Sequence, residues 1–222
     1  MSRDKYGTGQ DPYCYPNSDI LINSLNIHDE ALLEEAERDI SSLCANQIEF
    51  ALPPYDLNYF CTIHKALFGD LYPWAGELRQ IDISKGSTRF CSYQRIEIEA
   101  KKLLSTINYG NALVELSRKD LVITVAELYA DLNVVHPFRE GNGRAQRVLF
   151  EHMIINCGYD IDWSIIEADE WLNANIKGLN WQKLMAKLVR RSLIVCKLFA
   201  PTWPNTPLNS RLVTSINARS LI

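Results

Sequence analysis

The chain has 222 residues, of which 47% are apolar and 23% charged, with a formal charge of −4. That length supports one sizeable core burying about 70% of the unfolded surface, so a single domain is expected. The composition excludes a disordered chain, and the acidic balance excludes a molecule-wide positive field for nucleic acid or anionic membrane, so any anion site must be local.

Residues 1–27, including YGTGQDPYCYPNS, are rich in Gly, Pro and Tyr and read as an arm laid over the domain. The opening MSRDKYGTGQ has no signal-like apolar stretch, and no run approaches the ~18 apolar residues of a spanning helix, so the cytoplasm is the expected location. Helical spacing begins near Asp29, with Leu32, Leu33, Ala36, Ile40, Leu43 and Cys44, and stops at LPP, residues 52–54. A second helix is predicted from Leu57 to Phe68, with Phe60, Ile63, His64 and Leu67 on one side. The stretch YPWAGELRQIDISKGSTRFCSY (72–93) reads as a hairpin over 79–91, with strands near 79–83 and 88–91 and a turn at Lys85-Gly86. It is the only β element expected.

A helix over about 93–108 ends at Gly110. Ser117 with Asp120 marks the next start, followed by an apolar stripe of Leu121, Val122, Val125, Leu128, Tyr129, Leu132 and Val135. Pro137 disfavours helical geometry at His136, so that helix stops there. The next helix starts near Asn142 and ends at Gly158, and two more are predicted over about 163–177 and 180–198. Residues 200–222 form a tail, so the expectation is an all-α domain over 1–199 with one small hairpin and no internal repeat. The six cysteines, at 14, 44, 61, 91, 157 and 196, form no C-x-x-C pair; they read as small buried hydrophobes of a reducing compartment, not as zinc ligands.

HPFREGNGRAQR, residues 136–147, joins the two best-patterned helices. Gly141 and Gly143 leave room for a ligand near the backbone. The N–H groups opening the second helix form an anion site with its dipole. Arg144 and Arg147 share a face and can fork onto phosphate oxygens, and Asn142 adds a neutral donor. The Glu140 carboxylate makes sense beside phosphates if Mg²⁺ sits between them. His136, with an ordinary pKa of about 6.5, is mostly neutral at pH 7 and could take a hydroxyl proton. Phe138 is expected in the core and Arg139 in solvent. The plainer alternatives are a structural His136, a solvated or RNA-contacting arginine face, and a Glu140 salt bridge. Other plain expectations are packing or surface roles for His64 and His152, core roles for Tyr72, Trp74 and Trp171, and a solvated helix face at Arg190, Arg191 and Lys197. A P-loop is excluded, since G-x-x-x-x-G-K-[ST] does not occur.

The same stretch resembles the Fic-domain motif H-x-F-x-[DE]-[GA]-N-[GK]-R-x-x-R at every specified position. LFGDLYPWAGELRQIDISKGSTRF is similar to the family's segment leading into its flap hairpin. The resemblance spans about residues 5–197. It implies adenylylation: AMP passes from ATP to a Ser, Thr or Tyr hydroxyl of a target protein. By that resemblance His136 is the general base, Glu140 holds Mg²⁺, and Gly141, Asn142 and Gly143 line the phosphate cradle. Arg144 and Arg147 bind the β/γ-phosphates, Phe138 is a structural anchor, and the flap at Lys85, Gly86 and Thr88 holds the target segment. Many relatives carry an inhibitory motif [ST]-x-x-x-E-[GN] whose glutamate meets the second motif arginine, here Arg147. No Ser or Thr of this chain has a glutamate four residues later. The resemblance then implies a separate small antitoxin supplying that glutamate, a bacterial toxin–antitoxin pair, and the ATPase subunits of DNA gyrase and topoisomerase IV as targets. Related enzymes that transfer UMP, phosphocholine or phosphate, or remove AMP, are the alternatives, and a nucleotide-dependent interaction module is the non-enzymatic one.

Overall fold

Two helices carry the architecture. Helix α4 (Arg118–Val135) starts at Ser117, whose hydroxyl accepts from the Asp120 N–H, and buries Leu121, Val122, Val125, Leu128, Tyr129, Leu132 and Val135. Helix α5 (Asn142–Asn156) is buried on most sides, through Ala145, Val148, Leu149, Phe150, Met153, Ile154 and others. A helix apolar on so many sides has to be the centre of the domain, and α2, α4 and a short strand pack around it. The computed structural model describes residues 11–85, 88–107, 113–167, 170 and 181–191.

Around this pair lie α1 (Glu30–Ala45), α2 (Leu57–Phe68) and α3 (Ile96–Ser105). Asp29 and Asp56 cap α1 and α2 by accepting from the N–H groups of Leu32 and Tyr59, each cap typically contributing ~1 kcal/mol. Helix α2 buries Phe60, Ile63, His64 and Leu67, the expected face. Helix α1 departs from expectation. Leu32 and Leu43 are 52% and 65% exposed, and the inward face is Leu33, Glu37, Ser41 and Ala45. Two polar residues face inward because an arginine of α5 reaches them, as described below. Helix α3 is preceded by a single 3₁₀ turn at Tyr93–Arg95. The expected stop at Gly110 lies outside the described residues.

The hairpin pairs fewer residues than expected: β1 (Ser84–Lys85) meets β2 (Thr88–Arg89) in antiparallel register Ser84↔Arg89 and Lys85↔Thr88. Ile83 O still accepts from the Phe90 N–H at 3.2 Å, but residues 79–82 leave the ladder, where Arg79 turns inward and its N–H bonds Pro137 O at 2.9 Å. A second antiparallel pair, which the sequence reading missed, joins β3 (Tyr159–Ile161) to β4 (Val189–Arg191). Helix α6 (Trp181–Leu188) therefore ends where a longer helix was predicted. Val189 is fully buried, its carbonyl accepts from Arg118, and Arg190 faces Asp162 from a strand and not from a helix face. Of the helix predicted over 163–177, the described part contains a 3₁₀ turn, Trp163–Ile165; Trp171, Lys197 and the tail 200–222 lie outside the described residues.

From residue 11 the arm lies on the domain. Cys14 and Leu21 form an isolated bridge, Ser24 N–H bonds Leu71 O at 2.8 Å, and Tyr13 meets Trp74 edge-on. The five described cysteines are free thiols. Among the described residues no helix is long and apolar enough to cross a membrane, and no group of three or more His, Cys, Asp or Glu could hold a metal by itself.

Candidate functional site

Helix α4 ends by turning left-handed at His136 (φ 48°, ψ 65°), and α5 begins after a second left-handed residue, Gly141 (φ 77°). The six-residue reversal, 136–141, brings the end of one core helix beside the mouth of the other. Asn142 closes it. Its Oδ1 accepts from the Phe138 N–H and its Nδ2 donates to Phe138 O, both at 2.8 Å. The side chain expected as a neutral donor at the helix mouth is thus buried and engaged in shaping the loop. Phe138 is buried as expected, stacked on His64 and edge-on to Phe60.

His64 does more than pack. It is fully buried, its Nδ1 accepts from the Gly76 N–H, and its Nε2–H donates to Glu140 O at 2.9 Å. Accepting at one nitrogen and donating at the other requires the neutral tautomer. Burial depresses its pKa to about 4, consistent with that form. A neutral imidazole therefore holds the backbone of the motif carboxylate.

Gly141 has two reasons to be glycine. Its φ is positive, and a Cβ would sit 2.4 Å from Phe68 Cε2. Gly143 has one of a different kind: a Cβ there meets nothing within 4 Å, so the space above the first turn of α5 is open. No side chain caps this helix, leaving its first-turn N–H groups facing that space with the positive end of the dipole.

The three arginines separate. Arg139, expected in solvent, is 6% exposed, and its Nε and Nη2 reach Asp11 Oδ2 at 2.9 and 2.7 Å. It anchors the arm to the loop. Arg144 turns sideways toward α1, where it pairs with Glu37, donates to Ser41 Oγ at 2.8 Å and lies over the Phe68 ring at 4.7 Å. Tyr72 also donates to Glu37. In this geometry Arg144 is tied to α1, and a phosphate would have to compete with Glu37 for it. Arg147 is half-buried on the same helix, its Nε 3.4 Å from Gly143 O, and desolvation is the main cause lowering its pKa.

Glu140 accepts from the Gly141 N–H at 3.1 Å through one oxygen. Its second oxygen has no hydrogen bond among the described residues. One free carboxylate oxygen beside an open helix mouth fits Mg²⁺, which is held by one or two carboxylates together with phosphates.

His136 faces the hairpin. Its ring stacks on Phe90 at 3.9 Å and 14°, and Nδ1 lies 3.2 Å from Asn133 O. A carbonyl only accepts, so Nδ1 carries the proton and Nε2 keeps its lone pair. Desolvation, with smaller contributions from the Arg79 and Lys85 charges, lowers its pKa to about 3. Lys85 is exposed on β1; Gly86 lies outside the described residues, and Thr88 is described only as backbone of β2.

Sequence reasoning missed Arg79, Glu37 and the bracing role of His64. Glu37 and His64 each interrupt an apolar helix face, which was a readable signal. Arg79 is 1% exposed and bonds main-chain carbonyls at the end of α4 and in the hairpin, for which no local pattern exists.

The Fic/DOC family profile matches residues 54–154. The chain is 41% identical over 175 residues to "Probable protein adenylyltransferase Fic" of Escherichia coli (strain K12), covering 79% of this chain and 88% of that one. Its fold matches the crystal structure of the N-terminal Fic domain of a putative cell filamentation protein from Bartonella quintana with bound ADP, with TM-score 0.75, 27% identity, and coverage of 83% and 97%. It also matches the Bartonella tribocorum BepC protein with bound AMPPNP, with TM-score 0.74, 26% identity, and coverage of 81% and 97%. With that identity over most of both chains, the protein belongs to the Fic/DOC family.

Proposed function

We propose that the protein is an adenylyltransferase that moves AMP from ATP onto a Ser, Thr or Tyr hydroxyl of another protein. The observation that carries this reading is the pairing of two features at the two ends of the 136–141 loop: an imidazole whose Nε2 has no hydrogen bond among the described residues, and the start of α5, with no side-chain cap, below open space at Gly143. The names of the relatives, and the nucleotides bound in two of the matched structures, support the same chemistry.

The triphosphate lies across the start of α5, with Arg147 and Arg144 on its β/γ end and the backbone at Gly141, Asn142 and Gly143 along it. The target hydroxyl enters beside the hairpin, whose exposed edge at Lys85–Thr88 suits an extended segment. Its oxygen attacks the α-phosphorus, forming an O–P bond as the bond from phosphorus to the β-bridging oxygen breaks. Pyrophosphate leaves, and the hydroxyl proton goes to His136 Nε2; such base catalysis is typically worth ~10²–10⁴ in rate. Glu140 would hold Mg²⁺, which supplies charge neutralisation on the phosphate oxygens. Arg144 takes part after exchanging Glu37 for phosphate.

The biological reading extends this. With no [ST]-x-x-x-E in the chain, the inhibitory glutamate comes from a small partner protein, as in a bacterial cytoplasmic toxin–antitoxin pair. The ATPase subunits of DNA gyrase and topoisomerase IV are the proposed targets. Incubation with Mg²⁺, labelled ATP and bacterial lysate tests the activity. Label on the α-phosphate should modify a lysate protein, label on the γ-phosphate should not, and His136→Ala should abolish the signal. Equal signal from His136→Ala refutes the base, and preferential use of another nucleotide or of phosphocholine refutes the donor. Growth arrest on expression, relieved by a small neighbouring open reading frame, tests the toxin reading.

A further inference from the structure

Arg79 lies outside the family motif, yet its side chain donates to four main-chain carbonyls at this site. Its Nε donates to His136 O at 2.8 Å, in the left-handed turn, and its Nη2 to Val135 O at 3.2 Å, the last carbonyl of α4. Its Nη1 donates to Ile81 O at 2.6 Å and Nη2 also reaches Cys91 O, one on each side of the hairpin. Its own N–H bonds Pro137 O at 2.9 Å, and Cys91 N–H returns to Val134 O at 3.0 Å.

These contacts answer two structural needs. The left-handed turn at His136 ends the helical ladder and leaves the last α4 carbonyls without intrahelical donors; a buried cation at that helix end satisfies them and complements the dipole. The hairpin pairs only two residues per strand, too few to hold its orientation alone. The ring stacked on His136 belongs to Phe90, next to Cys91, which Arg79 grips.

We propose that Arg79 is the positioning residue of this site, joining the His136 turn and both ends of the hairpin into one unit so that the imidazole and the acceptor edge keep a constant relation. This rests on reading His136 as the base. The planar guanidinium is what the task requires. It points separate donors at carbonyls on three segments, whereas a lysine ammonium is one point donor on a flexible stem.

The test compares full-length wild type, Arg79→Lys and His136→Ala. With α-labelled ATP and bacterial lysate, Arg79→Lys should lower the incorporation rate about 100-fold while half-saturating ATP moves less than about threefold, because displacing a reacting group costs turnover and leaves the nucleotide cradle in place. ¹⁵N-histidine spectra of the free protein should show His136 as the single Nδ1–H tautomer in wild type and as a mixture in Arg79→Lys. A rate within about threefold of wild type, or an unchanged His136 spectrum, overturns the proposal. If Arg79→Lys does not fold, wild type decides alone. Its Arg79 Nε–H should exchange with solvent as slowly as core amides, and exchange as fast as that of exposed Arg89 refutes the role. A wild type that incorporates no label defeats the adenylyl-transfer reading, while the spectra still decide Arg79.

Discussion

Replacing Gly141 by alanine should destabilise the fold, whereas the same change at Gly143, two residues on, should not. At Gly141 two costs add. The backbone is left-handed at φ 77°, which costs a residue with a Cβ about 1–2 kcal/mol. The new methyl would lie 2.4 Å from Phe68 Cε2 and 2.5 Å from Cζ. That ring cannot retreat easily, since it is buried between His64, Tyr72 and the Arg144 guanidinium, so overpacking adds about 1–3 kcal/mol. The sum is about 2–5 kcal/mol for Gly141→Ala. At Gly143 the backbone is helical and the added methyl meets nothing within 4 Å, so stability should stay level or rise by up to ~1 kcal/mol. Urea unfolding of the two variants, compared at equal m-value, measures this directly. Activity should separate them in the opposite sense: Gly143→Ala stays folded but places a methyl in the open space proposed for the phosphates, and should weaken ATP use. A Gly141→Ala variant within ~0.5 kcal/mol of wild type, or a Gly143→Ala variant equally destabilised, would refute the division of roles.

Stability should fall in mild acid. His64 and His152 are depressed to about 4 and His136 to about 3, each chiefly by burial. In the unfolded chain each binds a proton near pH 6.5, so this stability is complete above that value and is lost as pH falls toward 4, at up to ~1.4 kcal/mol per unit for each histidine. Glu151, raised to about 8 by burial, acts oppositely: its contribution is full below the ordinary carboxylate range and is lost as pH rises through 8. Urea midpoints from pH 4 to 8 should therefore peak near neutrality, and a rise on acidification from pH 6.5 would contradict the buried neutral imidazoles. Glu37→Gln removes the charge that meets Arg144 and should cost about 1.5–3 kcal/mol; thermal unfolding unchanged from wild type would rule out that pair. Arg139→Ala strands the Asp11 carboxylate and should cost about 3–5 kcal/mol, with faster proteolysis within residues 11–27; an equally resistant arm would show that Asp11 does not hold it.

The elements legible in the sequence were those whose burial follows a period. Helices α2, α4 and α5 carry apolar stripes unbroken enough to place them, and the twelve-residue motif identified the loop between two of them. Helix α1 misled because its inward face contains Glu37 and Ser41, partners of an arginine more than a hundred residues away. Arg139 misled for the same reason: beside other polar residues it reads as solvated, and its partner Asp11 lies in the arm. Strand β4 was hidden in a run, LVRR, whose apolar residues suit helix and strand equally. Arg79 was invisible because its partners are carbonyl oxygens, which every residue has. Long-range pairing and main-chain recognition, not chemistry type, set the limit of what could be read.

The depressed pKa of His136 bears on the proposed catalysis as well as on stability. An imidazole near 3 is unprotonated throughout the physiological range, which suits a proton acceptor, but it is a weak one, since a base works best with a pKa near the working pH. Two of the causes are the positive charges of Arg79 and Lys85. In the proposed reaction a triphosphate brings negative charge to the same loop and favours the imidazolium, so the proposed base should gain strength when nucleotide is seated. The two pH profiles should therefore differ: the acid limb of kcat, which reports the bound complex, should lie at higher pH than that of kcat/KM, which reports the free enzyme. Lys85→Met removes a positive charge present in both states and should raise both limbs together. Coincident limbs would mean that the ligand's charge does not reach the imidazole, and limbs unmoved in Lys85→Met would mean that the Lys85 charge does not.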